Sequence, residues 1–307
     1  MRKAIVTTTI NAPTRAMMEF AKKDEWELFV VGDKKTPHDK WREFELDHSN
    51  VSYISPEDQE AQFPTLSEII GWNCIQRRAI GYVCALQWGA GIIASVDDDN
   101  IPYENWGKNV RIGKPTLVDI YKPENITVFD PLSVTNHPEL WHRGFPWELV
   151  ARDRVVTYVG QEYILPQIQA DLWDGAPDID ALCRMTQGNP IVKFTTTKPF
   201  GSRFPSPFNS QNTFFSAEAL KGYYLYPGIG RMDDIWGAYV LQREVNMRVI
   251  YTPSSVYQER NDQSFVQNLK DETIGYEKTL KLLNGEDVLP EQAIRFQEEY
   301  SKLVSGL

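Results

Sequence analysis

The chain is poor in the residues on which disulfide, zinc and nucleic-acid chemistry rest. Three cysteines, Cys74, Cys84 and Cys183, stand at scattered spacings among 307 residues. An odd, unpaired set argues against a disulfide framework and reads as free thiols of a reducing compartment. Only four histidines occur, and none joins a cysteine at zinc-ligand spacing. No stretch approaches the ~18 apolar residues that a membrane span needs. The N-terminal MRKAIVTTTINAP passes directly into a strand pattern without an apolar leader. Positive charge is also short: 32 Lys and Arg against 42 Asp and Glu leave a formal net charge of −10. That argues against nucleic acid or an anionic membrane as a partner held by bulk charge, and leaves open a phosphate-bearing small ligand met by a metal or a few local cations. The expectation is a cytoplasmic protein with no transmembrane segment and no nucleic-acid partner.

What the chain does have is ordinary bulk and one unusual stretch. Hydrophobic residues make up 42% and charged residues 24%, enough at this length to bury a sizeable core. The unusual stretch is GIIASVDDDN, residues 91–100. Ile92 to Val96 reads as a short buried strand of a parallel sheet. Asp97, Asp98 and Asp99 follow at once. Three carboxylates at the tip of an interior strand repel one another, and desolvation sharpens the repulsion. Mg²⁺ or Mn²⁺ removes it, because such ions take carboxylate oxygen and are usually held by one or two carboxylates plus ligand phosphates. Ligands of open α/β sheets bind outside the carboxyl ends of strands, where these aspartates sit. A solvated acidic turn or a helix cap is the plainer reading of an isolated triplet, so the rest of the chain decides.

The first hundred residues alternate. Strands are expected at 3–10, 26–31 and 51–54, a helix at 14–23, a helix start at Ser55, Pro56 and Asp58, and a long helix over 66–88 before the acidic strand. Such alternation implies an α/β fold with a mostly parallel central sheet flanked by helices. Beyond residue 100 strands are expected at 126–129, 191–195, 213–215 and 248–252, and helices at 177–185, 217–223, 233–245, 265–283 and 290–304. The aromatic- and proline-rich 130–150 stretch reads as an ordered functional loop. With no linker or repeat, residues 1–307 read as one domain: a nucleotide-binding half at 1–100, an acceptor- and sugar-binding half at 101–255, and C-terminal helices at 256–307.

Four sets of residues could carry chemistry. Thr8, Thr9, Ile10 and Asn11 end the first strand, and Asp33, Lys34 and Lys35 end the second. Both strand ends belong on the sheet edge of the acidic triplet. There Asp33 would meet a base or ribose and a lysine would meet phosphate, although paired lysines are more often surface turn residues. Arg77 and Arg78 precede the acidic strand; they read either as a solvated helix face or, for Arg78, as a guanidinium reaching over the sheet edge to pyrophosphate. Arg143 lies in the aromatic-proline loop, where an arginine is costly to hold unless its donors are used. Arg231, Asp233 and Asp234 precede a helix; the acids are helix caps in the plain account, and one is a base toward an acceptor hydroxyl in the functional account.

Taken together these segments resemble a known family. TTINAPT (8–14), VVGDKKTP (30–37), YISPEDQ (53–59), RRAIGYVCALQWGA (77–90), DDDN (97–100), LWHRGFPWE (140–148), DGAPDIDAL (174–182), SPFNSQNT (206–213) and RMDDIWGAYVLQR (231–243) occur in this order. They resemble the STELLO-type (DUF288) family of glycosyltransferases and, more distantly, the reversibly glycosylated polypeptides, which are UDP-arabinopyranose mutases. The resemblance implies a GT-A-like nucleotide-diphospho-sugar transferase fold and a metal-bound UDP-sugar. It places Asp97 and Asp99 at a DXD-like metal site, Asp97 and Asp98 beside the donor, Asp33 at the nucleoside, Arg143 at the arginine that becomes sugar-linked in the mutases, and Asp233 and Asp234 at the acids of a DDMWAG-like segment. It departs from the GT-A pattern in one respect: where a late histidine often adds a metal ligand, this chain offers Gln258, and no histidine lies beyond His142.

Three functions follow in order of expectation. The first is a glycosyltransferase using Mg²⁺ or Mn²⁺, with a UDP-sugar donor and a glycan or small hydroxyl acceptor. The second is a UDP-sugar pyranose/furanose mutase with Arg143 as transient sugar anchor. The third is a non-catalytic partner in a glycan-synthesis complex.

Overall fold

In the computed structural model, which describes residues 1–150, 154–245, 248–259 and 263–307, the N-terminal third follows the sequence pattern. β1 (Arg2–Thr9), α1 (Arg15–Ala21), β2 (Glu27–Gly32), α2 (His38–Asp47) and β3 (Val51–Ile54) alternate, and the three strands pair in parallel. The Thr14 side chain caps α1, and a Ser55–Asp58 capping box opens α3 (Pro56–Gln62). The sequence reading has no counterpart of α2. Its N-cap is Pro37, which offers no side-chain cap, and only Trp41 and Phe44 of its largely charged sequence are buried.

The long helix expected over 66–88 is divided. α4 (Pro64–Ile70) stops at Gly71, a 3₁₀ turn spans Ile75–Arg77, and α5 (Arg78–Gln87) follows. Gly71 and Asn73 have φ of 77° and 59°; left-handed backbone cannot continue a right-handed helix. Apolar spacing survives this break, which is why periodicity alone reads through it. β4 (Ala90–Val96) then runs parallel to β1 and carries the aspartates to the sheet edge, ahead of β5 (Asn100–Pro102).

The second half supplies β6 (Thr116–Pro123), α6 (Trp147–Val150), β7 (Val156–Ile164), β8 (Ile168–Gly175), α7 (Ala181–Thr186), β9 (Phe200–Ser202), β10 (Asn212–Ser216), α8 (Ala217–Lys221), α9 (Asp233–Val245) and β11 (Val249–Gln258). The sheet order is β3-β2-β1-β4-β10-β8-β11-β9-β6-β7, with β5 beside β11. Parallel pairing covers β3 to β4 and recurs at β8/β11 and β6/β9. β10 runs antiparallel to both of its neighbours, and β9 to β11, β5 to β11 and β6 to β7 are also antiparallel. The helix-flanked α/β sheet stands as expected, but it is mixed, with its parallel part concentrated in the N-terminal half.

Two expected strands are not strands. Residues 126–129 form an irregular segment whose Phe129 amide donates to the Pro205 carbonyl at 2.9 Å. Residues 191–195 make a single bridge, Val192 to Gly175. β8 is the main omission: all eight of its residues are buried, on both faces, so it shows none of the alternation that marks a half-exposed strand. The expected end of α9 near Asn246 lies outside the described residues.

α10 (Phe265–Asp271), α11 (Thr273–Leu283) and α12 (Glu291–Val304) close the chain. α12 buries Ala293, Phe296, Tyr300 and Val304, one per turn on a single stripe, and packs on α4 and α5. Among the described residues no helix is long and apolar enough to cross a membrane.

Candidate active site

The carboxyl ends of β1, β2 and β4 lie side by side because the strands are parallel and adjacent. Three cavities open there and share the acidic triplet: Asp98 lines the first, Asp97 and Asp99 line the second, and Asp98 and Asp99 together border a third of about 390 Å³ beside the start of α1. The first, of about 220 Å³, is lined by Thr8 to Asn11, Asp33 and Asp98, together with Asn73 to Ile75. Asp98 is fixed in that wall: its Oδ2 accepts from the Thr9 hydroxyl and, at 3.0 Å, from Asn11 Nδ2, while its carbonyl accepts from Thr14 Oγ1 at 2.6 Å. Asp33 is buried, with Oδ1 accepting the Lys34 amide at 2.6 Å and Oδ2 the Cys74 amide at 3.2 Å. Lys35 does not join them; it is exposed and lines neither cavity.

The second cavity, of about 260 Å³, shares Ile75 with the first and holds Asp97, Asp99, Asp233, Asp234 and Arg143. Beneath it Arg78 is buried rather than reaching over the sheet edge. It pairs with Asp97 and donates to the Ser210 carbonyl at 2.9 Å and to Ser210 Oγ at 3.0 Å. Burial alone would lower its pKa, but Asp97 reverses the sign and the guanidinium stays charged. An arginine so placed supports the floor of the site and leaves no direct contact for a pyrophosphate.

Arg143 is clamped from two sides. Its Nε donates to both oxygens of Asp178, at 2.9 and 3.1 Å, while Nη1 and Nη2 reach Asp234 Oδ1 and Oδ2 at 2.9 and 3.0 Å. Nη1 also bonds the Arg231 carbonyl. Burial opposes the charge, and the two carboxylates restore it and raise the pKa well above the ordinary value. Asp178, which falls inside the helix expected over 177–185, precedes α7, which Asp180 caps.

The neighbouring acids are thereby driven apart. Burial would raise Asp234, but Arg143 outweighs it and holds the carboxyl below its usual range. Burial, then the charge of Asp234, push Asp233 up to about 7. Gln76 Nε2 donates to Asp233 Oδ2 at 2.7 Å. One carboxylate is fixed as an anion and its neighbour is poised to exchange a proton near neutrality.

Among the described residues no three His, Cys, Asp or Glu side chains form a cluster able to hold a metal ion by themselves. A hard dication that completes its shell with phosphate oxygens does not need such a cluster. Asp97 and Asp99 both line the second cavity, and carboxylate is the donor chemistry that suits such an ion. At the position of the absent late histidine, Gln258 Oε1 accepts from Gln211 Nε2 at 2.6 Å on the same wall.

Sequence reasoning missed Gln76, Asp178, Ser210 and Gln211. Asp178 lies within DGAPDIDAL, and Ser210 and Gln211 within SPFNSQNT, so the matching segments marked their neighbourhoods without marking their roles.

No family model matches the chain. Two curated proteins of Arabidopsis thaliana do. "Probable glycosyltransferase STELLO2" is 24% identical over 310 residues, covering 92% of this chain and 39% of its own length. "Probable glycosyltransferase STELLO1" is 24% identical over 281 residues, covering 82% and 35%. The chain therefore spans less than two fifths of the curated relatives it matches. Among solved structures, a mannosyltransferase from Pyrobaculum calidifontis in complex with GDP-Man and Mn²⁺ aligns over 98% of this chain and 69% of its own, at 11% identity and a TM-score of 0.45. Glucosyl-3-phosphoglycerate synthase from Mycobacterium tuberculosis, in complex with Mn²⁺, UDP and glucosyl-3-phosphoglycerate, aligns over 94% and 81%, at 13% identity and a TM-score of 0.45.

Proposed function

We propose that this chain, related over most of its length to the STELLO-type glycosyltransferases, is itself a metal-dependent glycosyltransferase of GT-A type. It would take a UDP-sugar and pass the sugar to a hydroxyl of a glycan or small acceptor. The observation that carries this reading is where the triplet stands relative to the other strand ends and to Asp233. Asp98 lies in one cavity with residues 8–11 and Asp33, and Asp97 and Asp99 lie in the adjoining cavity with Asp233. That arrangement has the layout of a nucleoside site joined to a transfer site.

In this reading the walls built by Thr8 to Asn11, Asp33 and Asp98 receive the nucleoside, whose hydroxyls and base edge suit carboxylate and hydroxyl partners. Asp97 and Asp99 would hold the cation. A bound Mg²⁺ or Mn²⁺ supplies neutralising charge for the departing diphosphate. Asp233 accepts the proton of the acceptor hydroxyl. Asp234 is barred from that task by Arg143, which keeps it ionised and in place.

Arg143 also bears on the mutase alternative. A guanidinium whose donors are engaged by two carboxylates and a carbonyl, and whose pKa is raised, is a poor nucleophile toward a sugar. The mutase loses its anchor on that ground.

The decisive experiment measures UDP release from a panel of UDP-sugars, with Mn²⁺ and glycan acceptors, for the wild type and Asp233→Asn. Calorimetry with UDP and Mn²⁺ runs alongside for the wild type and Asp99→Ala. Acceptor-dependent release lost in Asp233→Asn, with UDP still bound, is expected. Heatless titrations that Asp99→Ala leaves unchanged would instead favour a non-catalytic partner.

A further inference from the structure

Arg231, two residues before Asp233, is held in an unusual way. Its Nε donates to Glu272 Oε1 at 2.8 Å, and Glu272 is buried. Glu272 is fixed in turn by the Ala181 amide at 2.7 Å and the Tyr276 hydroxyl at 2.9 Å, both onto Oε2. The chain allows this approach at one point. Gly230 has φ of 58°, and a Cβ there would collide with the Asp271 carbonyl. The absence of a side chain lets the α10–α11 junction close against residues 230–232 and brings Glu272 behind Arg231.

The consequence is a guanidinium with its charge balanced at the back and its donors open at the front. Arg231 lines the second cavity, its side chain is about a quarter exposed, and neither Nη has a protein partner among the described residues. Arg143, the other arginine of that cavity, is committed to Asp178 and Asp234. A planar fork aimed by its Nε matches the two oxygens of a carboxylate or phosphate. The first cavity is the one that suits the nucleoside, so what enters the second is the glycosyl unit and its acceptor.

We propose that Arg231 is an oxyanion-recognition residue of the glycosyl cavity, and that the protein selects a sugar or acceptor bearing a carboxylate or phosphate group. This rests on the nucleotide-sugar reading for the assignment of the two cavities. The shared chemistry is the oxyanion; it would come either from the donor's own sugar, as in a uronosyl unit, or from the acceptor.

The test is binding by calorimetry with the full chain in Mn²⁺, for wild type, Arg231→Gln and Arg231→Lys. UDP, UDP-glucose and UDP-glucuronate probe the donor arm. Glucuronate and glucose 6-phosphate, each against glucose and at saturating UDP, probe the acceptor arm. In one arm the wild type should prefer the anionic probe. Arg231→Gln should weaken that probe by about tenfold to a hundredfold, the range for a charge-assisted bond, with UDP affinity kept and Arg231→Lys intermediate. Retained UDP affinity also shows that the variant folds. Equal binding of anionic and neutral probes in both arms overturns the proposal. So does a loss of UDP affinity as large as that of UDP-glucuronate, because the arginine then serves the diphosphate. If UDP fails to bind the wild type, the nucleotide reading falls, and the same sugar probes without UDP still decide whether Arg231 takes an oxyanion.

Discussion

Asp233 and Asp234 share a helix start but not a charge state. A carboxyl pushed up to about 7 is half ionised near neutral pH, and only its ionised form accepts a proton. Turnover should therefore rise with pH through about 7 and level off above it. Asp233→Asn should lose about 10²- to 10⁴-fold in kcat, the usual share of a general base, with donor binding kept. Gln76 adds a sharper check. Its bond to Asp233 Oδ2 favours the ionised carboxylate, so Gln76→Leu should move the rising limb upward by roughly half a unit to one unit. A pH–rate profile of the two proteins measures this, and an unmoved limb in Gln76→Leu would remove Gln76 from the site. Read from sequence, both acids are candidates, and nothing in the local pattern chooses between them. The choice depends on Arg143, 90 residues away in the chain, and on burial, neither of which local pattern contains.

Residues 74–78, which lead from the turn after α4 into the start of α5, tie the candidate cavities together. The Cys74 amide holds Asp33, Ile75 borders both cavities, Gln76 holds Asp233, and Arg78 holds Asp97. Arg77 anchors the segment. It is buried, with Nε donating to Gln59 Oε1 at 2.8 Å and its terminal nitrogens to Ser67 and Gly71, and its guanidinium stacks on Trp72 at 3.6 Å. Burial brings its pKa down to about 10, still charged at neutral pH. Arg77→Ala removes these bonds, leaves the Gln59 and Ser67 acceptors unpaired, and should cost about 3 kcal/mol or more of stability. Urea unfolding measures that cost. UDP affinity should fall as well, because Cys74 to Gln76 lose their anchor. A variant as stable as the wild type would show that the segment is held by other means. Sequence periodicity concealed this element, because a helix interrupted for four residues keeps much of its apolar spacing. Of the two readings of Arg77 and Arg78, the solvated helix face is the reverse of what the fold builds, since both are buried. β8 was concealed for the complementary reason: burial on both faces erases alternation. By contrast β1, β2, β3 and β4, each flanked by clear caps and turns, were legible, and with them the strand ends at Thr8 to Asn11, Asp33 and Asp97 to Asp99.

Across the whole molecule, three buried acids point the same way. Burial pushes Asp171 up to about 6 and Asp180 and Asp233 up to about 7, against an ordinary value of 3.8. Between about pH 4 and 7 the folded chain therefore keeps protons that the unfolded chain has released. Stability falls as pH rises whenever the native state binds more protons, so the contribution of these groups is largest below pH 4 and is lost through the window up to 7. Asp171 isolates the effect best, because it lies outside both candidate cavities. It sits where the β8/β11 register shifts, and its Oδ1 accepts from Gln169 Nε2 at 2.7 Å and from the Thr252 hydroxyl. Asp171→Asn keeps the shape and an acceptor while removing the titration. Its unfolding free energy should match that of the wild type below about pH 4, where Asp171 is protonated in both states. By pH 7.5 the variant should be the more stable by about 3 kcal/mol or somewhat less, the worth of a two-unit shift. Denaturant unfolding at four or five pH values measures the gap. Curves that stay parallel across the window would mean that Asp171 is ionised throughout, with its desolvation offset by its neighbouring donors.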